Sequence, residues 1–226
     1  MTGRGWGPCR PAVITSEGGH HRARRTPCAS LFFVATAAVV FLWPGLGSHL
    51  QYDRAAIIAG EVWRLVAGHW AHYSLDHFFW DVLAFAALGV ACEQRGRARF
   101  LGCVLTSALA ISVSVWLMLP DMQIYRGLSG IDSALFALLT VVMWSDGRSQ
   151  RPGRQAIAMA CLIAFLLKVA FELMTGRNVF VNAAETGMVS VPLAHVVGAL
   201  CGLVIGAGWQ PMLRSRHTTQ WSSSTT

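Results

Sequence analysis

The chain has 226 residues, of which 54% are hydrophobic and 13% are charged, and its formal net charge is +7. This composition is too apolar for a soluble globular domain, and the length favours a single domain. Nearly uncharged apolar runs of roughly 18 or more residues mark membrane-spanning helices. The sequence contains six such segments, at about 30–48, 75–92, 99–119, 127–144, 155–174 and 190–208. We therefore predict an all-α polytopic membrane protein, a bundle of six transmembrane helices.

Positive charge is concentrated in alternate connections between these segments. Five arginines lie in the N-terminal tail, and further groups follow the second, fourth and sixth segments, whereas the other connections hold four arginines in total. This asymmetry is the positive-inside pattern, which predicts that both termini are cytoplasmic. The basic charge thus indicates membrane topology, and we expect no nucleic-acid partner.

The two ends of the chain differ from the apolar centre. Residues 1–28 are rich in Gly, Pro and Arg without periodicity, which predicts a disordered, basic cytoplasmic tail. A basic start before an apolar run can also mark a secretory signal, but the run is long and lacks a small-residue cleavage site, which favours an uncleaved first helix. Residues 29–209 form the predicted membrane domain, and residues 210–226 form a polar cytoplasmic tail. The six cysteines show no metal-ligand spacing, so we expect neither a metal nor a cofactor.

The second apolar segment carries the first ionisable cluster. An aromatic and histidine-rich stretch, 60–85, leads into it, and it contains His77 and Asp81, four residues apart on one helix face, with His72 just before it. Ionisable groups within a membrane are costly and suggest a functional site. An interfacial belt of histidines with one satisfied buried acid is the alternative, and this segment alone does not decide between them.

The third and fifth segments point to structural roles. Segment 99–119 has only Ser and Thr as polar content, which is typical of scaffold. The fifth segment contains Lys168 and Glu172, again four residues apart on one face. Mutual neutralisation of two costly charges favours a structural ion pair within the helix.

The fourth and sixth segments hold the candidate reactive groups. Ser129 opens the fourth segment between Gly127 and Gly130, and the sixth carries a single histidine, His195. Gly198 and Gly202 follow that histidine and form a small-residue stripe that lets another helix approach closely. At about 1.5 Å per residue, the second-segment acid, the serine and the histidine lie about 9, 3 and 7 Å below the same membrane face.

This common depth predicts nucleophilic chemistry. A serine needs a base to take its proton, and His195 is the histidine available to Ser129 in the later segments. No acid lies in the sixth segment, so the minimal unit is a Ser–His dyad. Free N–H groups at the start of a helix can hold an oxyanion, Gly127 and Gly130 remove side-chain bulk there, and His77 can add a further donor.

These motifs together resemble the rhomboid family of intramembrane serine proteases. GLSG at 127–130 matches the family's GxSG, and AHVVGALCG at 194–202 matches its AHxxGxxxG. His72, His77 and Asp81 fall on the pattern HxxxxHxxxN, and Trp63-Arg64 matches a WR pair in the first loop. The resemblance implies that Ser129 is the nucleophile, His195 the base and Gly198 a close helix contact.

Within the family, the chain looks most like the rhombosortases, which are small bacterial rhomboids. YRGLSG at 125–130, GEVWRLVAGHWAH at 60–72 and the KxxxE of 168–172 carry this likeness. It implies a multi-pass protein of the bacterial inner membrane whose partners are the lipid bilayer and transmembrane protein substrates. The substrates implied are exported proteins that end in a GlyGly-type sorting tail.

Two positions differ from the family pattern. Asp81 stands where the pattern has asparagine, and Ser133 stands where some rhomboids place an aromatic ring beneath the histidine. A carboxylic acid kept neutral by an apolar site can donate a hydrogen bond. We therefore expect Asp81 to work protonated, as a donor to the oxyanion.

Two other functions stay open from the sequence. One is a catalytically inactive rhomboid relative that binds transmembrane helices without cutting them. The other is a small transporter that uses Asp81, Lys168 and Glu172 as an ion path, although the halves of the chain show no inverted repeat.

Overall fold

The computed structural model describes residues 26–145, 152–176 and 191–208. The helices in these ranges are α1 Cys28–Leu42, α2 Leu46–Leu50, α3 Arg54–Ile58, α4 Arg64–Ala67, α5 Leu75–Arg95, α6 Arg97–Met118, α7 Ser129–Ser145, α8 Pro152–Thr175 and α9 Pro192–Gly208. A short 3₁₀ turn covers Gly68–Trp70, and two-residue strands β1, Tyr52–Asp53, and β2, Ile124–Tyr125, pair antiparallel. The all-α prediction is confirmed.

Each of the six predicted apolar segments coincides with a helix, namely α1 and α5 to α9. The first segment differs in length, because the predicted 30–48 is interrupted after Leu42. Gly45 has a left-handed φ of 78° and follows Pro44, which cannot continue a helix hydrogen-bond ladder, so the chain turns there. The predicted tails, 1–28 and 210–226, lie largely outside the described residues.

Two helices in the described ranges are long and apolar enough to cross a membrane by length and composition. These are α5, with 21 residues, and α6, with 22 residues, while α1, α7 and α9 are shorter apolar helices. The crossing of a bilayer by all six segments and the cytoplasmic position of both ends stay predictions.

The centre of the bundle is the packing of α7 against α9. Residues 130–135 of α7 are all buried, which is unusual for a helix with two faces and shows that neighbours surround it. α5 and α6 pack on α7 from other sides, and α1 packs on α5. The start of α7 therefore lies inside the bundle, within reach of side chains from several helices.

The connection between α1 and α5 folds back over the bundle and positions the segment before α7. Arg54 donates hydrogen bonds to carbonyls at the end of α6 and stacks over Trp116 at 4.6 Å. The pairing of Tyr52 with Tyr125 ties this connection to the residues that lead into α7. Arg126 adds a 2.7 Å hydrogen bond to Gln51 Oε1. These contacts hold in place the segment that leads into α7 and Ser129.

Candidate active site

The turn before α7 is built around Gly127. Its φ of 121° lies in the region that favours glycine, and a Cβ there would come within 2.7 Å of His77 Nε2 and 3.1 Å of Asp81 Oδ2. Any larger residue would therefore displace the α5 side chains. The next residue but one, Ser129, is the first residue of α7 and is partly exposed to the cavity described below.

Asp81 holds this turn from α5. Its Oδ2 accepts the backbone N–H of Leu128 at 2.8 Å and lies 3.1 Å from His77 Nε2 and 3.5 Å from His72 Nε2. Three nitrogen groups thus converge on one carboxylate oxygen. Oδ2 of Asp81 is therefore an acceptor for groups of the protein itself, and the role of a protonated Asp81 as a donor to the oxyanion stays a prediction.

His77 is occupied on both ring nitrogens. The Tyr73 N–H donates to Nδ1 at 3.4 Å, so the ring proton of the neutral tautomer lies on Nε2, which is 3.1 Å from Asp81 Oδ2. His77 thus contacts Asp81 and also lines the cavity described below, and its role as a further oxyanion donor stays a prediction.

Gly198 and Gly202 bring α9 against the backbone of α7. A Cβ on Gly198 would lie 1.9 Å from Gly130 O, and one on Gly202 would lie 2.0 Å from Ala134 O. Such distances leave no room for any side chain, so the two helices touch along their backbones. His195 lies one turn before Gly198 and is thereby held beside the start of α7.

The neighbour of His195 on its other side comes from α8. Glu172 Oε2 lies 2.8 Å from His195 Nδ1, and Glu172 Oε1 lies 2.8 Å from Lys168 Nζ. The predicted pair between Lys168 and Glu172 is thus present, but it uses only one carboxylate oxygen. The contact of Glu172 with His195 was not expected, because the sixth segment contains no acid and no spacing rule links a residue of α8 to one of α9.

Two further residues of α7 face the same region. Asp132, one turn after Ser129, is buried and lines the cavity, and its Oδ1 has no hydrogen-bond partner in the described part of the chain. Its carboxyl group interacts electrostatically with the carboxylate of Asp81 and the ammonium of Lys168. Ser133 donates its hydroxyl to Ser129 O at 2.9 Å within its own helix, so it gives His195 no hydrogen bond. Asp132 was not among the site residues expected from the sequence.

These groups surround one cavity of about 1060 Å³. Its polar lining includes Ser129, His195, His77, Asp81, Asp132, Lys168 and Glu172, and its apolar lining includes Trp80, Leu83, Phe136 and Phe165. Over the described ranges, no group of three or more His, Cys, Asp or Glu side chains could hold a metal ion. The arrangement places a serine, an imidazole and carboxylates beside apolar walls, as hydrolysis of an apolar peptide segment requires.

A comparison with protein families matches residues 59–210 to a family described as Rhomboid domain. The match covers well over half of the chain and includes every site residue named above. A search of curated proteins finds no match. The family is membrane-embedded, and its members are generally intramembrane serine proteases. The chain belongs to the rhomboid family.

Proposed function

We propose that this chain is an intramembrane serine endopeptidase in which Ser129 is the nucleophile and His195 the general base. The observation that carries the proposal is that both residues line one cavity, on two helices held in backbone contact by glycines. Membership of the rhomboid family supports the same chemistry independently.

The proposed reaction follows the general course of serine hydrolases. His195 takes the proton of Ser129 Oγ through Nε2 as the oxygen attacks the scissile carbonyl. The oxyanion of the tetrahedral intermediate is held by backbone N–H groups at the start of α7, which have no partner within the helix. His195 then protonates the leaving amine, and a water molecule, deprotonated by the same imidazole, hydrolyses the acyl-enzyme.

The cluster of Asp81, His77 and His72 has a positioning role in this proposal. By accepting the N–H of Leu128, Asp81 fixes the turn that delivers Ser129 to the cavity. A nucleophile held in one geometry loses less entropy on reaching the transition state. The cluster therefore acts on the nucleophile through the backbone and not through the reacting atoms.

The substrates in this proposal are transmembrane segments presented from the lipid bilayer. The apolar cavity wall contributed by Trp80, Leu83 and Phe136 suits an apolar peptide. All six apolar segments would cross the bacterial inner membrane, with both termini cytoplasmic as the arginine distribution predicts. The likeness to rhombosortases extends the proposal to C-terminal GlyGly-type sorting tails of exported proteins.

A fluorophosphonate probe tests the proposal on the purified full chain. We expect covalent labelling at Ser129, and loss of both labelling and cleavage of a transmembrane reporter, by at least about 10³-fold, in Ser129→Ala and His195→Ala. The double variant should be no worse than either single one, because the two groups act as a unit. Ser107→Ala is the matched control, since Ser107 is a buried serine of α6 outside the cavity.

The results that would contradict the proposal are distinct. Turnover in folded Ser129→Ala would exclude the serine as nucleophile. A folded wild-type protein that binds the reporter helix but is neither labelled nor able to cleave it would be an inactive rhomboid relative.

A further inference from the structure

The carboxylate of Glu172 lies at the point where a serine hydrolase needs an acid. It is 2.8 Å from His195 Nδ1, and neither Oε2 nor Nδ1 has another polar partner among the described residues. The separation is that of a charge-assisted hydrogen bond, and the contact is an ion pair that is not aligned as a hydrogen bond. Such contacts are often poorly aligned before substrate binds and tighten in the complex.

The contact determines which nitrogen of His195 can act as a base. A carboxylate is acceptor-only, so its neighbour Nδ1 carries the proton, and Nε2 keeps its lone pair. Nδ1 contacts Glu172 of α8, and the His195 ring lines the same cavity as Ser129. Nε2 is then the nitrogen left to take the serine proton. When the imidazolium forms, the nearby negative charge stabilises it.

Lys168 explains how a buried carboxylate can keep its charge. Glu172 is 1% exposed. A carboxylate buried at such a site without a partner would take up a proton and lose its negative charge. Lys168 Nζ lies 2.8 Å from Oε1, the carboxylate oxygen that does not contact the imidazole. The ammonium offsets the cost of burying the charge. One oxygen of Glu172 thus contacts its counterion, Lys168, and the other contacts the proposed base, His195.

We propose that Glu172 is the positioning residue of His195, so that the site is a Ser129–His195–Glu172 triad with Lys168 as the counterion of the carboxylate. The inference rests on the proposed function, and it replaces the sequence-based interpretation of Lys168 and Glu172 as a purely structural pair. Support for the histidine comes from α8, because Ser133 of α7 is bonded within its own helix.

The test compares Glu172→Gln with Glu172→Asp and with Glu93→Gln in proteoliposomes. Glu93 is also 1% exposed and also has a cation four residues away in the sequence, but it lies near the C-terminal end of α5 and outside the cavity. We expect Glu172→Gln to lower kcat and the fluorophosphonate labelling rate by about 10²-fold or more with little change in KM. Glu172→Asp keeps the charge and should recover part of the loss. Glu93→Gln should keep kcat within about threefold of wild type.

Labelling rate and labelling amplitude separate positioning from folding. Misfolding lowers the amplitude, that is, the fraction of labelled protein, whereas loss of positioning lowers the rate of the folded fraction. If Glu172→Gln folds too poorly to measure, the double variant Lys168→Met/Glu172→Met removes both charges together and should fold but remain slow.

Two outcomes overturn the inference. One is a folded Glu172→Gln, or folded double variant, whose kcat stays within about threefold of wild type. The other is an equal loss of kcat in Glu93→Gln. Ser129→Ala, measured in the same series, keeps the two proposals apart: if Ser129→Ala is inactive while Glu172→Gln is active, only the role of Glu172 fails.

Discussion

Two glutamates of this protein have nearly the same local setting. Glu93 and Glu172 are each 1% exposed, and each lies 2.8 Å from a basic side chain four residues away in the sequence, which is Arg97 at the start of α6 for Glu93 and Lys168 within α8 for Glu172. They differ in what the second carboxylate oxygen meets. For Glu93 it is the N–H and hydroxyl of Ser30, both at 2.8 Å, and for Glu172 it is an imidazole nitrogen of α9.

The comparison shows that an ion pair between residues four apart in the sequence does not by itself reveal what its carboxylate does. Glu93 accepts N–H groups from the first turn of α1, which have no partner within that helix, so it joins α1 to α5. Among the described residues, no backbone N–H donates to Glu172, which instead contacts His195 in the cavity. The first carboxylate stabilises packing, and the second is placed to affect chemistry.

Replacing both members of each ion pair should lower stability at the 93/97 site and activity at the 168/172 site, and this is the largest effect that we expect. Replacing both Glu93 and Arg97 by Met leaves the N–H groups of α1 without an acceptor, which costs about 1–3 kcal/mol for each buried unpaired group. Replacing both Lys168 and Glu172 by Met leaves no unpaired charge, so most stability should be kept. Thermal unfolding and kcat per folded molecule measure the two quantities.

The crossed pattern is the decisive feature of that experiment. The 93/97 double variant should be less stable but normally active, and the 168/172 double variant should be stable but nearly inactive. The corresponding single Glu→Met variants are the controls, and both should be destabilised. If both double variants lose stability and keep activity, the two glutamates have the same structural role and the distinction fails.

A third buried carboxylate, that of Asp81, extends the comparison, and we expect its replacement to have a moderate effect. Asp81→Asn keeps an amide oxygen that can accept the Leu128 N–H, so we expect activity to fall by less than about tenfold. Asp81→Leu leaves that buried N–H unpaired and should cost about 1–3 kcal/mol of stability together with a larger loss of activity. Cleavage rates and thermal unfolding of the two variants test this order. Complete inactivity of a folded Asp81→Asn would show that the ionised carboxylate is needed.

The smallest effect concerns a histidine used for packing. His69 lies outside the predicted spanning segments, and its Nε2 lies 2.9 Å from Ala108 O and 3.1 Å from Ser112 Oγ. Burial lowers the pKa of His69 to about 4, from 6.5 in the unfolded chain. Because the folded pKa is depressed, the stability that this group contributes is complete above pH 6.5 and is lost as the pH falls from 6.5 towards 4.

The slope from one such group is at most about 1.4 kcal/mol per pH unit. Thermal midpoints measured between pH 7 and 5 should therefore fall with pH, and His69→Gln should flatten this dependence. The Ser112→Ala variant is the control, since it keeps the imidazole and should keep the slope. An unchanged slope in His69→Gln would assign the acid sensitivity to another group.

Much of the helical framework could be predicted because apolar length is a local property. Each apolar segment became a helix, and the turn at Pro44 and Gly45 follows from residues that cannot continue one. The pairing of Tyr52 with Tyr125 could not be predicted, because two-residue strands far apart in sequence carry no periodic pattern. Helix boundaries thus follow from neighbouring residues, while the loop pairing depends on residues far apart in the sequence.

The sequence by itself determined the candidate reactive groups, because Ser129 between glycines and His195 before a glycine stripe are patterns within single helices. Tertiary structure alone decided which acid serves which partner. Glu172 meets His195 across two helices, and the oxygen of Asp81 meets the N–H of Leu128 across two others. The physical reason is that a carboxylate takes its role from the donors within about 3 Å of its oxygens, and folding brings those donors from elsewhere in the chain.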